Sequence, residues 1–327
     1  MSNSIQILIL IVTTIYQVFS CFLEDQKQTI GNFVKVGKSK LHYCVKGENK
    51  DDRPTIILDH SLGGIEGYLL IDELAKFTKV LIYDRAGYGW SDHCWKPRTS
   101  QQIVNELDIL LTKADIKPPY ILIGDSFGSY NMRLFAYLYP EKVTGLVLTD
   151  GLHESGMLNL PLLVKGLKLV MTSGFFISIF GASFGIIRVI KTLGLFELFK
   201  PNLGAFPPEN LNYVKRSFCR PKHWITMTRE MMDLDTSGQQ VSMAEDLGDL
   251  PIVNIKAKSF FHRSWWTFLI PFKSIEQVRK QIHLSLLELS TDTILLEADC
   301  SSHFVWIDQP EIMVEAIEIL LEKINEK

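Results

Sequence analysis

The amino-acid sequence predicts an α/β fold: a mostly parallel central sheet flanked by helices, with a helical segment inserted late in the chain. Three observations carry this. Between residues 30 and 150, short apolar runs alternate with segments whose apolar residues recur at helical spacing. The apolar runs are continuous rather than alternating, as strands buried on both faces require. After Gly151 strand signals stop, and they return only at Ile252.

The elements follow in order. Ile5 to Leu23 is a run of 19 residues without a charge, closed by Glu24, Asp25 and Lys27. A spanning helix needs roughly 20 apolar residues, and the apolar region of a signal peptide roughly 7–15. Residues 1–23 are therefore either a signal peptide, with Val18-Phe19-Ser20 as its cleavage site, or an uncleaved membrane anchor. Both readings place the body in the secretory pathway, secreted or anchored to a membrane. Lys40 to Val45 reads as a short strand, and Thr55 to Leu58 as a buried one running into His60-Ser61-Leu62-Gly63-Gly64. Val80 to Tyr83 is another strand. Ser100 to Ala114 carries Ile103, Val104, Leu107, Leu110 and Leu111 at helical spacing, and Pro118-Pro119 stops it. Tyr120 to Ile123 reads as a strand, Ser129 to Tyr139 as a helix ended by Pro140, and Val143 to Leu148 as a strand. Strands resume at Ile252 to Lys256 and Thr293 to Glu297, and a helix from Pro310 to Glu322 closes the chain.

Residues 24–151 and 251–327 thus form one core, and residues 152–250 a helical cap inserted after the strand that ends at Asp150. An insertion between two strands of one sheet lies over the strand ends, where open α/β sheets bind ligands. Within it, Leu169 to Ile187 is a second run of 19 uncharged residues. It holds Thr172, Ser173, Ser178, Ser183 and three glycines, and a span there would put two halves of one sheet on opposite sides of a bilayer. The expectation is cap helices lining an apolar pocket, with membrane contact by the cap as the second reading.

Composition narrows the function. The net charge of −3 offers no basic surplus for nucleic acid. Cys44, Cys94, Cys219 and Cys300 are widely spaced with no CxxC pair, which argues against zinc and favours buried or half-buried thiols. An oxidising lumen would permit disulfides among them. No metal or organic cofactor is expected.

The chemistry gathers at Gly124-Asp125-Ser126-Phe127-Gly128, between a strand and a helix. This G-x-S-x-G spacing holds a serine on a sharp turn with its hydroxyl clear of the sheet, and side chains at 124 and 128 would collide with their neighbours. A serine hydroxyl needs a base. His303, in the loop after the last strand, is the candidate among eight histidines. A carboxylate must in turn orient the imidazole. The strand two places beyond the nucleophile, where it usually follows, ends in Ala257-Lys258-Ser259-Phe260 without an acid. Asp150 stands instead at the end of the strand directly after the elbow helix, with Glu154 and Asp299 as alternatives. The backbone N–H groups of Phe127 and Leu62 are the expected oxyanion donors.

These stretches resemble the α/β-hydrolase fold superfamily, in particular the cap-bearing serine hydrolases. The matching residues are Leu62-Gly63-Gly64, Tyr83-Asp84-Arg85-Ala86-Gly87-Tyr88-Gly89-Trp90-Ser91-Asp92, Pro97-Arg98-Thr99-Ser100, the elbow itself, Gly145-Leu146-Val147-Leu148-Thr149-Asp150, and His303 with Asp308-Gln309-Pro310. The resemblance implies that the Asp84–Ser91 stretch organises the loop beside the site. Asp125 stands where the family usually has His, Ser129 where Gly is common, and His60-Ser61 where a smaller pair is usual.

The expected activity is two-step acyl transfer through an acyl-enzyme on Ser126, hydrolysing a small-molecule ester of an apolar acyl or aryl group. Two other classes stay open. One is an amide hydrolase or aminopeptidase-like enzyme, for which Glu230, Asp233 or Asp235 would hold a substrate amine. The other is a non-catalytic, membrane-anchored module that kept the fold.

Overall fold

The structure, a computed structural model, describes residues 3–27, 29–49, 53–261 and 270–326. Eight strands form one sheet in the order β1-β2-β4-β3-β5-β6-β7-β8. They are β1 (Asn32–Val36), β2 (Ser39–Lys46), β3 (Thr55–Asp59), β4 (Val80–Tyr83), β5 (Tyr120–Asp125), β6 (Val143–Thr149), β7 (Ile252–Ala257) and β8 (Thr293–Ala298). β1, β2 and β4 pair antiparallel, and every pair from β4 to β8 is parallel. β1 carries no signal of its own in the sequence. It is a five-residue edge strand with only Val34 and Val36 buried, too short for its alternation to stand out.

The central strands divide their side chains by the two-residue period of the pleat. Ile57, Leu81, Leu122 and Leu146 face one layer, built from α3 (Ser100–Lys113), α4 (Phe127–Leu138) and α12 (Phe272–Leu287). Ile56, Ile82, Ile121, Ile123, Val147 and Val253 face the other, built from α2 (Gly67–Leu74), α13 (Val305–Asp308) and α14 (Glu311–Asn325). Both faces of the central strands are buried, which is why these strands read as unbroken apolar runs.

Between β6 and β7 the chain forms α5 (Glu154–Met157), α6 (Leu162–Ser183), α7 (Ile186–Thr192), α8 (Leu195–Phe199), α9 (Pro208–Phe218), α10 (Pro221–Met232) and α11 (Leu234–Val241), with no strand. This helical layer docks on the loop after β4 through polar contacts. Arg85 Nε donates to Glu230 at 2.9 Å, the Gly89 N–H to Ser217 Oγ at 3.0 Å and the Arg98 N–H to Asp233 at 2.8 Å. The amino-terminal segment is one helix, α1 (Asn3–Asp25), lying against α6 and α7. α1 and α6 are each long and apolar enough to cross a membrane, by length and composition. All five cysteines are free thiols, with Cys44 and Cys219 buried.

Candidate active site

The site is assembled at the carboxyl ends of β3, β5, β6 and β8. Ser126 joins β5 to α4 with φ +49° and ψ −110°, a backbone conformation that L-residues rarely adopt. The glycines on either side explain how the turn closes. A Cβ on Gly124 would lie 2.6 Å from the Gly128 carbonyl oxygen, and one on Gly128 would lie 2.6 Å from the Asp59 carbonyl oxygen at the end of β3. Strand, elbow and helix touch backbone to backbone.

Ser126, Asp150 and His303 come together. Ser126 Oγ lies 2.9 Å from His303 Nε2, and His303 Nδ1 lies 2.6 Å from Asp150 Oδ2. With the proton on Nδ1 donated to the carboxylate, Nε2 is left to accept from the serine hydroxyl. The Phe260 ring stacks on the imidazole with centroids 4.2 Å apart. The loop bearing His303 is tied down by Ser302 Oγ, which donates to Asp308 at 2.6 Å. The two alternative acids lie elsewhere. Glu154 pairs with Arg133 of α4 at 3.0 Å, and Asp299 is exposed. Of the other histidines, His42 is bound to Asp84, and His262 lies outside the described residues.

Asp150 has partners that sequence reasoning missed. Its Oδ1 accepts from Arg279 Nη2 at 2.7 Å, from His283 Nε2 at 3.1 Å and from the Ala257 N–H at 3.2 Å. Arg279 and His283 stand four residues apart on α12, one turn on one face. Ile275, Val278, Ile282 and Leu286 at helical spacing were the available signal for that helix. Burial alone would raise the Asp150 carboxyl. The hydrogen bonds from His283 and His303 and the charges of His303 and Arg279 outweigh it and hold the group far below the usual carboxylate range.

The loop after β3 is held from below by Arg85. Its guanidinium donates to Asp59 Oδ1, the His60 carbonyl and the Ser61 carbonyl, each at 2.7 Å, and reaches Glu230 on the far side. Asp84 anchors the same hairpin by accepting from Tyr68 Oη at 3.1 Å and the Trp90 N–H at 2.8 Å. Burial and the Arg85 charge push His60 down to about 4, so that ring is neutral at pH 7. Two carboxyl groups move the other way. Burial raises Glu66, and burial together with the Glu66 and Asp150 charges raises Asp125 well above its ordinary value.

Ser126, Asp150, His303, Leu62 and Phe127 line one cavity of about 330 Å³. Its walls are apolar. α6 contributes Val164, Leu167, Met171 and Phe175, α10 contributes Met227 and Met231, and α12 contributes Ile275, Val278 and Ile282. The three acids considered for holding an amine are engaged. Glu230 is fully buried against Arg85 and Tyr88, Asp233 accepts from the Arg98 N–H, and Asp235 pairs with Lys168. A hydroxyl, an imidazole and a carboxylate in series at the floor of an apolar cavity can move a proton off the hydroxyl as it attacks an electrophile.

Comparison with known proteins agrees with this architecture. A sequence profile of the alpha/beta hydrolase fold matches residues 54–194. The uncharacterized protein YqjL of Bacillus subtilis is 42% identical over 79 residues, 24% of this chain and 30% of that one. Proline iminopeptidase PfmaB of Pestalotiopsis fici is 28% identical over 133 residues, 38% of this chain and 46% of that one. The chain spans less than half the length of the first curated relatives it matches. Among solved structures, a probable hydrolytic enzyme from Pseudomonas aeruginosa PAO1 superposes with a TM-score of 0.64 over 89% of this chain and 93% of that one, at 16% identity. The doubly covered parallel sheet, the serine on its strand-to-helix turn and these matches have one common reading: the chain has the α/β-hydrolase fold.

Proposed function

We propose that the protein is a serine hydrolase that cleaves carboxylic esters of apolar acyl or aryl groups, with Ser126 as nucleophile, His303 as general base and Asp150 as its orienting acid. The observation that carries this is the Ser126–His303–Asp150 relay, 2.9 Å and then 2.6 Å, opening on an apolar cavity. Ser126 Oγ attacks the carbonyl carbon while His303 Nε2 takes its proton. The N–H groups of Phe127 and Leu62 receive the oxyanion. His303 then protonates the departing alcohol, and water repeats the cycle on the acyl-enzyme. The residues 5–23 segment supports targeting to the secretory pathway and attachment to a membrane.

A second reading, amide or amino-terminal peptide hydrolysis, is favoured by the similarity to a proline iminopeptidase. The acids considered for the substrate amine, Glu230, Asp233 and Asp235, already have partners. The test is labelling of the full chain with a fluorophosphonate probe and mapping of the adduct. Label on Ser126, absent from Ser126→Ala and lowered on the order of 10⁴-fold in rate by Asp150→Asn, is the expected result. A folded chain that takes no label leaves the non-catalytic module as the reading.

A further inference from the structure

α1 is amphipathic the wrong way round for water. Thr13, Gln17, Cys21 and Glu24, spaced at four, four and three residues, form one face, and that polar face is the one turned to the protein. Gln17 is 3% exposed. It donates from Nε2 to the Cys219 carbonyl at 2.7 Å and accepts from Arg188 Nε at 2.6 Å. Arg220 donates to Glu24 at 2.8 Å and to Asp25 at 2.9 Å, and Arg216 to Asp25 at 2.8 Å. The Thr13 carbonyl sits over Gly185, where a Cβ would come within 2.3 Å of it. The apolar face points away from the protein: Leu8, Ile15, Val18, Phe19 and Phe22 are each 58–64% exposed.

A helix in water buries its apolar side. A helix in lipid turns polar groups to its protein partner and apolar ones to acyl chains. At ~1.5 Å per residue, α1 is about as long as the hydrocarbon core is thick. The same surface continues onto α6 and α7, where Leu169, Val170, Phe176, Ile177, Phe180 and Ile186 are exposed and no charge occurs from Leu169 to Ile187. So extended an apolar face is not that of a water-soluble monomer. A protein partner would have to offer a matching apolar surface of its own, whereas lipid needs none.

We propose that a lipid bilayer covers the face formed by α1, α6 and α7, that α1 is a permanent part of the fold rather than a cleaved leader, and that the substrate is an acyl ester drawn from that bilayer. Removal of α1 would strip Arg188, Arg216 and Arg220 of Glu24 and Asp25, their carboxylate partners here. α6 separates lipid from cavity by a single helix. Its outer face carries Leu169, Phe176 and Phe180, and its inner face places Val164, Met171 and Phe175 in the cavity with Ser126. The substrate class rests on the hydrolase reading. The ester C–O bond breaks as the Ser126 Oγ–acyl bond forms, the alcohol leaves with the proton from His303, and water releases the acid.

The test uses the full chain expressed in a eukaryotic host, with phosphatidylcholine vesicles. Intact mass reports whether α1 is retained. Flotation reports binding. Turnover is compared on a long-chain fluorogenic ester dissolved in the vesicles and on a soluble butyrate ester. Retained α1, flotation, and at least a tenfold loss of both flotation and vesicle-ester turnover in the Leu169→Asp/Phe176→Asp/Phe180→Asp variant, with butyrate turnover unchanged, is the expected result. A mature chain starting near residue 24, or a full chain left in the aqueous phase as a monomer or as a dimer of itself, overturns the proposal. Flotation without turnover of either ester supports the lipid surface, and it overturns the substrate class together with the hydrolase reading.

Discussion

The arrangement around Asp150 shows how charge is divided within a site. One carboxylate oxygen faces His303, while the other takes three donors from Arg279, His283 and the Ala257 backbone. Those donors fix the carboxylate in place and also drain charge from it. Arg279→Gln removes one of those donors and is expected to lower kcat on a butyrate ester about tenfold, because a less firmly held Asp150 orients His303 less well, and Arg279→Lys should restore part of it. Steady-state kinetics beside urea unfolding check this, and unchanged kcat with lower stability would mean that Arg279 only packs. Asp150 itself stays ionised near neutral pH, because its carboxyl lies far below the usual carboxylate range.

At the scale of elements, two contacts decide whether the residues meet. The first is the backbone contact between the α4 amino end and the end of β3. Ala at 128 would drive its methyl toward the Asp59 and His60 carbonyls, 2.6 and 2.8 Å away. Gly128→Ala is expected to cost about 1–3 kcal/mol in urea unfolding, and roughly 100-fold in kcat because the loop bearing Leu62 must shift. The second contact is the buried bridge from α10 to the loop after β4. Glu230→Gln leaves the Arg85 charge with Asp59 as its carboxylate partner and is expected to destabilise the fold by about 3 kcal/mol. Arg85 also grips the His60 and Ser61 carbonyls, so kcat should fall alongside. Loss of stability with normal turnover would show that the bridge serves the cap alone.

For the molecule as a whole, buried neutral histidines lower stability in acid. Burial and the nearby charges of Lys222 and Arg85 depress His223 to about 3, and its Nδ1 is paired to Ser217 Oγ at 2.9 Å. Its folded value lies below the ordinary 6.5, so the unfolded chain binds the extra proton between pH 6.5 and 3. Stability contributed by this group is therefore present above 6.5 and lost as pH falls through that window. His60 acts in the same sense down to about 4. Glu66 and Asp125, raised in the folded state, act in the opposite sense. His223→Asn should flatten the fall in unfolding free energy between pH 6.5 and 4 by on the order of 3 kcal/mol relative to the parent, read from urea unfolding at each pH.

The doubly covered strands, the elbow and the late insertion were readable from sequence because each is a local pattern. Ile121 to Ile123 is apolar on both sides of the pleat, Gly124 and Gly128 bracket a turn that excludes side chains, and strand signals lapse between Asp150 and Ile252. Ser126 and His303 could be singled out by their place after strands, and Asp150 by the missing acid after β7. What local pattern could not supply was contact across the chain. Arg279 and His283 reach Asp150 from 129 and 133 residues away, and Arg85 meets Glu230 across 145. Nor could a run of apolar residues in α1 reveal which of its faces the protein would take. The hydrophobic pattern of a segment reports how much of it must leave water, while its side-chain partners are chosen by the packing of elements far apart in sequence. The polar face of α1 turns inward because Arg188 of α7, Arg216 of α9 and Arg220 of the turn between α9 and α10 are brought together there, a coincidence of position that exists only once the chain has folded.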